Sequence, residues 1–392
     1  MNTAISNVKN FWRRFVPNWP LVVWMILISI LLGIISGSTS QQLISRFSAG
    51  WGVAVGEFAL ILIPSFTLAA AIEHLNIKGQ SPILVGMAPL AGAGMVCPDT
   101  AYASLSPTVT HWHLSLAFSS YAGFKLLFPA GPLIIAASLG VVADRALFGY
   151  SVAIFIPVWI AGILFARTID RPAPSSEIKI FDKDSIRELS RLWPFALLAA
   201  LLAAGVLSKH LSNPWIDFAT NPKGALILTA ASALCMVHRS ERRNCIESGV
   251  RRTGALLLVI GAASAFSAFL TTTFPVDELF AAHGGLFALF ILFSLGALFK
   301  LLQGSSMATF AVVGPLALPI VTASGIAPVL AVLAICLGSF IAILPNDSFY
   351  WLVRQHALPN HKEINAIAIL GGGSVVQAAV GLAVLSAFYL IG

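Results

Sequence analysis

The chain has 392 residues, of which 58% are apolar and only 10% charged, and its mean hydropathy is +0.89. So few charged side chains could not cover the surface of a soluble domain of this length, which excludes a soluble protein. The net charge of +7 comes from basic residues beside apolar segments, where they set membrane orientation, so it does not indicate nucleic-acid binding. The composition predicts an all-α polytopic protein with the lipid bilayer as its surroundings.

Apolar stretches follow one another along the chain. The first half contains five, over residues 21–36, 51–72, 81–96, 115–140 and 146–166. A charged stretch over 167–192 comes next and is typical of a linker at the membrane interface. The second half contains seven, over residues 194–207, 224–237, 254–270, 286–302, 307–321, 326–344 and 364–391. Since a crossing needs about 20 residues, we expect roughly ten to twelve membrane segments, in a first repeat over 1–166 and a second over 193–392.

Basic residues near the segment ends predict the orientation of the chain. Lys9, Arg13 and Arg14 precede the first segment, and five arginines follow Val237 in a predicted loop. Positive loops favour the cytoplasmic side, so we expect a cytoplasmic N-terminus in a bacterial inner membrane. The four cysteines lack the spacing of a metal site or a disulfide framework, and no cofactor or metal is predicted.

A short repeat marks two breaks in the apolar pattern. Phe124-Lys125-Leu126-Leu127 recurs as Phe299-Lys300-Leu301-Leu302, and helix-breaking residues follow each copy, Pro129 to Pro132 in the first and Gln303 to Ser306 in the second. Unwound backbone at membrane depth is tolerated only inside protein or along a wet cavity, and half-helix N-termini offer N–H groups to an anion. The paired breaks predict one polar site of the kind found in secondary transporters.

Four ionisable residues stand within or near these apolar stretches: Asp99, Lys125, Lys300 and Asp347. Such residues usually face a cavity or a partner. The two carboxylates are candidates for carrying a coupling proton, with helix capping as the alternative. The two lysines are candidates for balancing a bound carboxylate or pairing with one of these acids, with snorkelling as the alternative. Interfacial positions are predicted for Glu57, Glu73, His111, His113 and His283.

Two segments of the second half carry the most specific motifs. Gln303-Gly304-Ser305 matches the start of a QGSATVA motif, and Pro345-Asn346-Asp347-Ser348-Phe349-Tyr350-Trp351 is similar to an HVNDSGFW motif. Both motifs belong to the gluconate permease family of proton symporters, within the ion transporter superfamily, which the chain therefore resembles. The resemblance implies two inverted repeats with re-entrant hairpins and broken helices, an elevator-type displacement, and a homodimer.

The first half carries weaker matches to the same family. Residues 98–109 align with a segment of which they keep an acid and a proline, and Gly131-Pro132 resembles the tail of a PPHPGP segment. Leu127-Phe128-Pro129-Ala130 replaces the PPHP part, and Met307 replaces a threonine of QGSATVA. The substrate therefore stays open among a sugar acid such as gluconate, a related short hydroxy acid and a zwitterionic amino acid.

These observations predict a secondary transporter that carries a small organic anion together with a proton on Asp99 or Asp347. A sodium-coupled carboxylate or amino-acid transporter is the alternative, because hydroxyls and carbonyls at broken helices also suit that ion. A membrane enzyme would need a nucleophile beside a base, and an anion channel would need rings of like charge instead of paired breaks. The predicted substrate contacts are Thr100, Gly131, Gln303, Gly304, Ser305, Ser306, Asn346 and Ser348.

Overall fold

The structure, a computed structural model, describes residues 19–75, 83–109, 111–142, 144–170, 190–207, 213–273 and 285–391. Within these ranges all regular structure is helical, and strands are absent. Seven of the helices described are long and apolar enough to cross a membrane, and five shorter apolar helices accompany them. The protein is therefore a multi-pass membrane protein, as its composition predicted.

The described helices lie on either side of the stretch 171–189 in the sequence. Those before it are α1 (Leu21–Ile35), α2 (Ser40–Leu75), α3 (Ile83–Gly94), α4 (Pro98–Leu105), α5 (His113–Leu126), α6 (Gly131–Ser138) and α7 (Arg145–Arg167). Those after it are α8 (Trp193–Leu207), α9 (Pro214–Thr220), α10 (Pro222–Met236), α11 (Arg239–Thr273), α12 (Leu286–Gln303), α13 (Ser306–Ser324), α14 (Pro328–Gly338), α15 (Ser348–Ala357) and α16 (Glu363–Ile391).

The described residues omit part of what the sequence predicted. Residues 171–189 of the predicted linker, the three basic residues ahead of the first segment, and His283 lie outside them. The basic loop expected after Val237 is wrong, because α11 begins at Arg239 and carries all five arginines. The stretch has the residues of a helix: Arg243 pairs with Glu247 one turn later at 2.7 Å, an arrangement that stabilises helices.

Helices α2 and α11 form the longest contact and, with α1 and α10, make a scaffold. Two ion pairs link helices of this scaffold. Lys223 of α10 pairs with Glu57 of α2, and Arg252 of α11 pairs with Glu73 of α2 at 3.6 Å. Glu57 and Glu73, for which the sequence predicts interfacial positions, therefore each have a basic partner. Beside the scaffold lies the core of the molecule, where residues 114–126 of α5 are all buried.

Glycines bring two pairs of helices into backbone contact. At the crossing of α3 with α5, a Cβ on Gly123 would overlap the carbonyl oxygen of Pro89, and one on Gly92 would overlap that of Ser120. At the crossing of α12 with α14, a Cβ on Gly338 would overlap the carbonyl oxygen of Phe293. The two crossings are built alike. In each, a helix that ends at a break packs against the next helix along the chain that ends at a break, α3 against α5 and α12 against α14.

Four interruptions separate helices at the centre of the chain. They lie at residues 95–97, 127–130, 304–305 and 339–347. The second and third are the breaks that the sequence predicted, and Pro129 and Gly304 are both buried in protein. The fourth corrects the predicted apolar segment over 326–344, because α14 ends at Gly338. The carbonyl of Ser339 accepts from a lysine side chain at 2.6 Å, and Ala342 adopts a positive φ of 59°.

Candidate functional site

Four helix N-termini meet where these interruptions come together. They belong to α4, α6, α13 and α15, and α4 contacts α15 while α6 contacts α13. Two of them are capped by their own side chains: Ser305 accepts from the N–H of Ala308 at 3.3 Å, and Asp347 accepts from that of Phe349 at 3.1 Å. Each helix N-terminus carries a partial positive charge, so their convergence favours an anion.

Lys300 and Asp347 form an ion pair at this point, with side chains that are 0% and 4% exposed. Lys300 also donates to the carbonyl oxygen of Gly304. A buried ion pair persists only when further hydrogen bonds satisfy its remaining atoms, and the cap on α15 and this carbonyl supply them. Lys300 therefore does not snorkel, and Asp347 is both the predicted helix cap and the partner of a lysine.

Lys125 is buried as well, yet it forms no ion pair with any described carboxylate. Its ammonium donates to the hydroxyl of Ser306 at 3.0 Å, and to the carbonyl and hydroxyl oxygens of Ser339 at 2.6 and 2.9 Å. The ring of Tyr121 lies 4.5 Å from the nitrogen. These contacts satisfy the Lys125 side chain without a contacting counter-charge, so a protonated Lys125 would place a positive field in the site.

Asp99 stands at the first turn of α4, where it is partly exposed. It accepts a hydrogen bond from the hydroxyl of Ser348 at the start of α15. In the described chain it has no cationic partner in contact, unlike Asp347. The site therefore holds two lysines and two aspartates. With all four side chains charged its net charge is zero, and a proton on Asp99 would then leave one net positive charge for an anionic ligand.

The other predicted contact residues border this cluster. A Cβ on Gly304 would overlap the carbonyl oxygen of Asn346, so the third and fourth interruptions touch backbone to backbone. Ser305, Asn346 and Ser348 are exposed, while Thr100 and Gly131 are buried. The side-chain oxygen of Gln303 is buried and has no hydrogen-bond partner among the described residues.

Sequence reasoning missed three residues of the site. Ser339 holds Lys125, Tyr121 donates to the carbonyl of Ser339 at 3.3 Å, and the rings of Tyr121 and Phe349 stack in parallel at 5.5 Å. The only available signal was Gly338-Ser339 inside an apolar stretch, where small residues mark a break. Groups of three or more residues able to hold a metal ion are absent from the described part of the chain.

Comparison with known families matches residues 115–391 to the GntP family of permeases. A high-affinity gluconate transporter of Escherichia coli is 24% identical over 380 residues, which cover 85% of this chain and 86% of that protein. The site residues from Ser339 to Ser348 and both lysines fall inside the matched range.

Two solved structures share the fold. The MtrF protein of Neisseria gonorrhoeae, described as one of a class of antimetabolite efflux pumps, has a TM-score of 0.67 at 15% identity and covers 96% of both chains. The YdaH transporter of Alcanivorax borkumensis has a TM-score of 0.57 at 16% identity, covering 95% of this chain and 98% of its own. The family match spans most of the described helices, from α5 to α16. The chain therefore belongs to the GntP permease family and is a secondary transporter, not an enzyme.

Proposed function

We propose that this protein is a proton-coupled symporter of a small organic anion, with a sugar acid such as gluconate as the first substrate class to test. The observation that carries the proposal is the charge balance of the site. Lys300 is neutralised by Asp347, whereas Lys125 and Asp99 lack contacting counter-charges among the described residues. Protonation of Asp99 would make the site positive, so a proton and a carboxylate would enter together.

The polar groups beside the lysines favour a ligand with hydroxyl groups as well as a carboxylate. The buried side-chain oxygen of Gln303 lacks a donor, and a substrate hydroxyl would supply one. Ser305 and Ser348 expose hydroxyls at neighbouring helix starts. A sugar acid or related hydroxy acid offers this combination, and the relative from E. coli carries gluconate in its name.

The glycine crossings support two structural repeats, with α2 to α7 corresponding to α11 to α16. Under this correspondence α3 matches α12 and α5 matches α14, so Gly123 corresponds to Gly338. This helix correspondence differs from the one that the two Phe-Lys-Leu-Leu segments suggest. Lys125 lies in α5 and Lys300 in α12, which do not correspond, so the two lysines are not equivalent. Each hairpin tip then meets the broken helix of the other half, through Asp99 with Ser348 and Ser306 with Lys125.

Loose packing between α6 and the scaffold supports an elevator-type displacement. A cavity of about 370 Å³ separates Leu133 and Ala137 from Glu57 and Lys223. A second of about 240 Å³ lies between Ser138 and Ser264. Voids leave few contacts to break when one body slides past another. The homodimer belongs to the same proposal through the family resemblance. The cytoplasmic N-terminus, in a bacterial inner membrane, belongs to it through the basic residues ahead of the first segment.

Uptake by the purified protein in liposomes tests the proposed coupling. Labelled gluconate and a panel of unlabelled carboxylates would be supplied with an inward proton gradient, an inward sodium gradient, or neither. We expect the proton gradient alone to drive accumulation. Accumulation with the sodium gradient alone would instead establish the sodium-coupled carboxylate or amino-acid transporter, the second candidate function.

A further inference from the structure

A pocket of about 360 Å³ lies apart from the lysines and has an unusual lining. Four of its residues are histidines, and the carboxylate of Asp170 stands among them. Asp170 accepts from the backbone N–H groups of Leu114 and Ser115 at 3.2 and 3.0 Å, so it is fixed at the start of α5. Burial raises the pKa of Asp170 above its ordinary value. The four histidines are His111, His113, His356 and His361.

Two of these histidines join three helices. The rings of His113 of α5 and His356 of α15 stack at 6.0 Å with 22° between their planes. Tyr102 of α4 lies against both, at 6.5 and 5.9 Å, and its hydroxyl is 3.5 Å from Nδ1 of His113. The pair therefore lies on the pocket wall, and a fully buried tyrosine lies behind it.

Ring contacts continue from Tyr102 to the lysine site. Its ring meets the ring of Phe349 edge to face at 5.8 Å, and Phe349 stacks on Tyr121 beneath Lys125. Phe349 directly follows Ser348, the hydrogen-bond donor to Asp99. Helices α4 and α15 thus touch at three places: by the Asp99–Ser348 bond inside the site, by the Tyr102–Phe349 ring contact, and by the Tyr102–His356 contact beside the pocket.

The charges that face the pair are unevenly distributed. Around His113 are His111 on the preceding loop, Tyr102 on α4, His356 on α15 and Asp170 beyond α7, while His361 completes the pocket wall. A single carboxylate can compensate one imidazolium, and a second positive ring 6.0 Å away would then be repelled. Histidine is the side chain that gains a positive charge in mild acid.

We propose that His113 and His356 form a proton-sensitive clamp that holds α5 against α15 when at least one imidazole is neutral and pushes these two helices apart when both are charged. Movement of α15 would draw His356 away from Tyr102 of α4 and loosen the Asp99–Ser348 contact, exposing the site. His113, His356 and Tyr102 are positioning residues that act through these three helices. The clamp itself does not depend on the proposed symport; only its consequence for transport rests on that function.

Reactivity of Cys97 measures the clamp without any substrate or gradient. This cysteine is the residue before α4, next to the site, and is partly exposed. The full-length protein in lipid nanodiscs would be treated with 4,4′-dithiodipyridine, which reacts with thiols in acid, and modified Cys97 would be quantified by mass spectrometry. The wild type would be compared with the H113Q/H356Q double variant at about pH 8 and about pH 5.5, so that the intrinsic pH dependence of the thiol cancels in the ratio.

We expect the two proteins to react equally at the higher pH and the wild type to react about fivefold faster at the lower pH. H361Q is the matched control, since His361 lines the same pocket without a ring contact to Tyr102, and it should behave like the wild type. H113K/H356K carries two positive charges at both pH values and should react fast already at the higher pH. This variant tests the proposal independently if the glutamine variant folds poorly. Equal ratios at both pH values for all variants would overturn the clamp and leave the transport proposal untouched.

Discussion

Lys125 at the end of α5 donates a hydrogen bond of 3.0 Å to Ser306 at the start of α13, so the breaks in the two halves of the chain are joined by a buried ammonium. Three oxygens hold this ammonium, and none of them carries a negative charge. The arrangement leaves a positive centre facing the converging helix starts, which is where an anionic ligand would lie.

Replacing Lys125 by methionine should remove most of the affinity for the transported anion. A hydrogen bond to a charged group contributes about 1.5–3 kcal/mol, so we expect binding weaker by roughly 10- to 100-fold. Isothermal titration with the carboxylate identified by the uptake experiment would measure it. Lys362→Met, at an exposed lysine, is the control and should bind normally. Unchanged affinity of Lys125→Met would remove this residue from the site.

Lys300 and Asp347 should be coupled in a double-mutant cycle. Removing one member of a buried ion pair leaves the other charge uncompensated, which costs about 3–5 kcal/mol of unfolding free energy. Asp347→Asn keeps the cap on α15, because asparagine caps helices as well as aspartate does, so it isolates the charge.

We expect Lys300→Met and Asp347→Asn each to lower the stability strongly, and the double variant to be less unstable than the sum of the two. Denaturant unfolding in detergent, followed by tryptophan fluorescence, would measure all four proteins. Strict additivity would contradict the coupling inferred from the contact.

Asp99→Asn should separate substrate binding from proton coupling. The asparagine can still accept the hydrogen bond of Ser348 but cannot take up a proton, so binding should persist and lose its pH dependence. Accumulation driven by a proton gradient should fall to the level without a gradient. Asp217→Asn, at an exposed carboxylate on α9, should transport like the wild type. Proton-driven uptake by Asp99→Asn at the wild-type rate would show that another group carries the proton.

Gly304→Ala should damage the site by backbone overlap. The residue has a φ of +74°, and its new Cβ would overlap the carbonyl oxygen of Asn346. Either feature alone is unfavourable for alanine, so we expect a loss of about 1–3 kcal/mol of stability together with loss of transport. Gly149→Ala provides the contrast, because nothing lies within 4 Å of its Cβ in helix α7 and alanine favours helices by about 1 kcal/mol. A Gly304→Ala protein as stable and active as Gly149→Ala would refute the close packing of the two interruptions.

The sequence predicted the membrane class and most segment bounds, and it singled out Lys125 and Lys300 as candidates with snorkelling as the alternative, because apolar runs and isolated charges are local features. It predicted the break at Gly304 correctly from glycine beside two serines. The end of α14 ahead of Ser339 was not predicted, because the stretch up to Leu344 is apolar and the partner of Ser339, Lys125, lies far away in the chain.

The local sequence pattern also could not predict which side chains contact one another. Lys125 and Lys300 stand in identical four-residue segments, yet only Lys300 pairs with a carboxylate. The difference arises from the position of each helix, which glycines at the two crossings decide. Among the histidines, the pattern suggested an interfacial belt, and only tertiary packing brought His356 onto His113.

The contact between Lys125 and Ser339 has a consequence for biogenesis, because 214 residues of sequence separate the two. During synthesis the ammonium enters the membrane long before the oxygens that will hold it have left the ribosome. Until then it needs water or the insertion machinery around it, since an unshielded charge in hydrocarbon is strongly unfavourable. Helix α5 therefore reaches its final packing only after α14 has been synthesised.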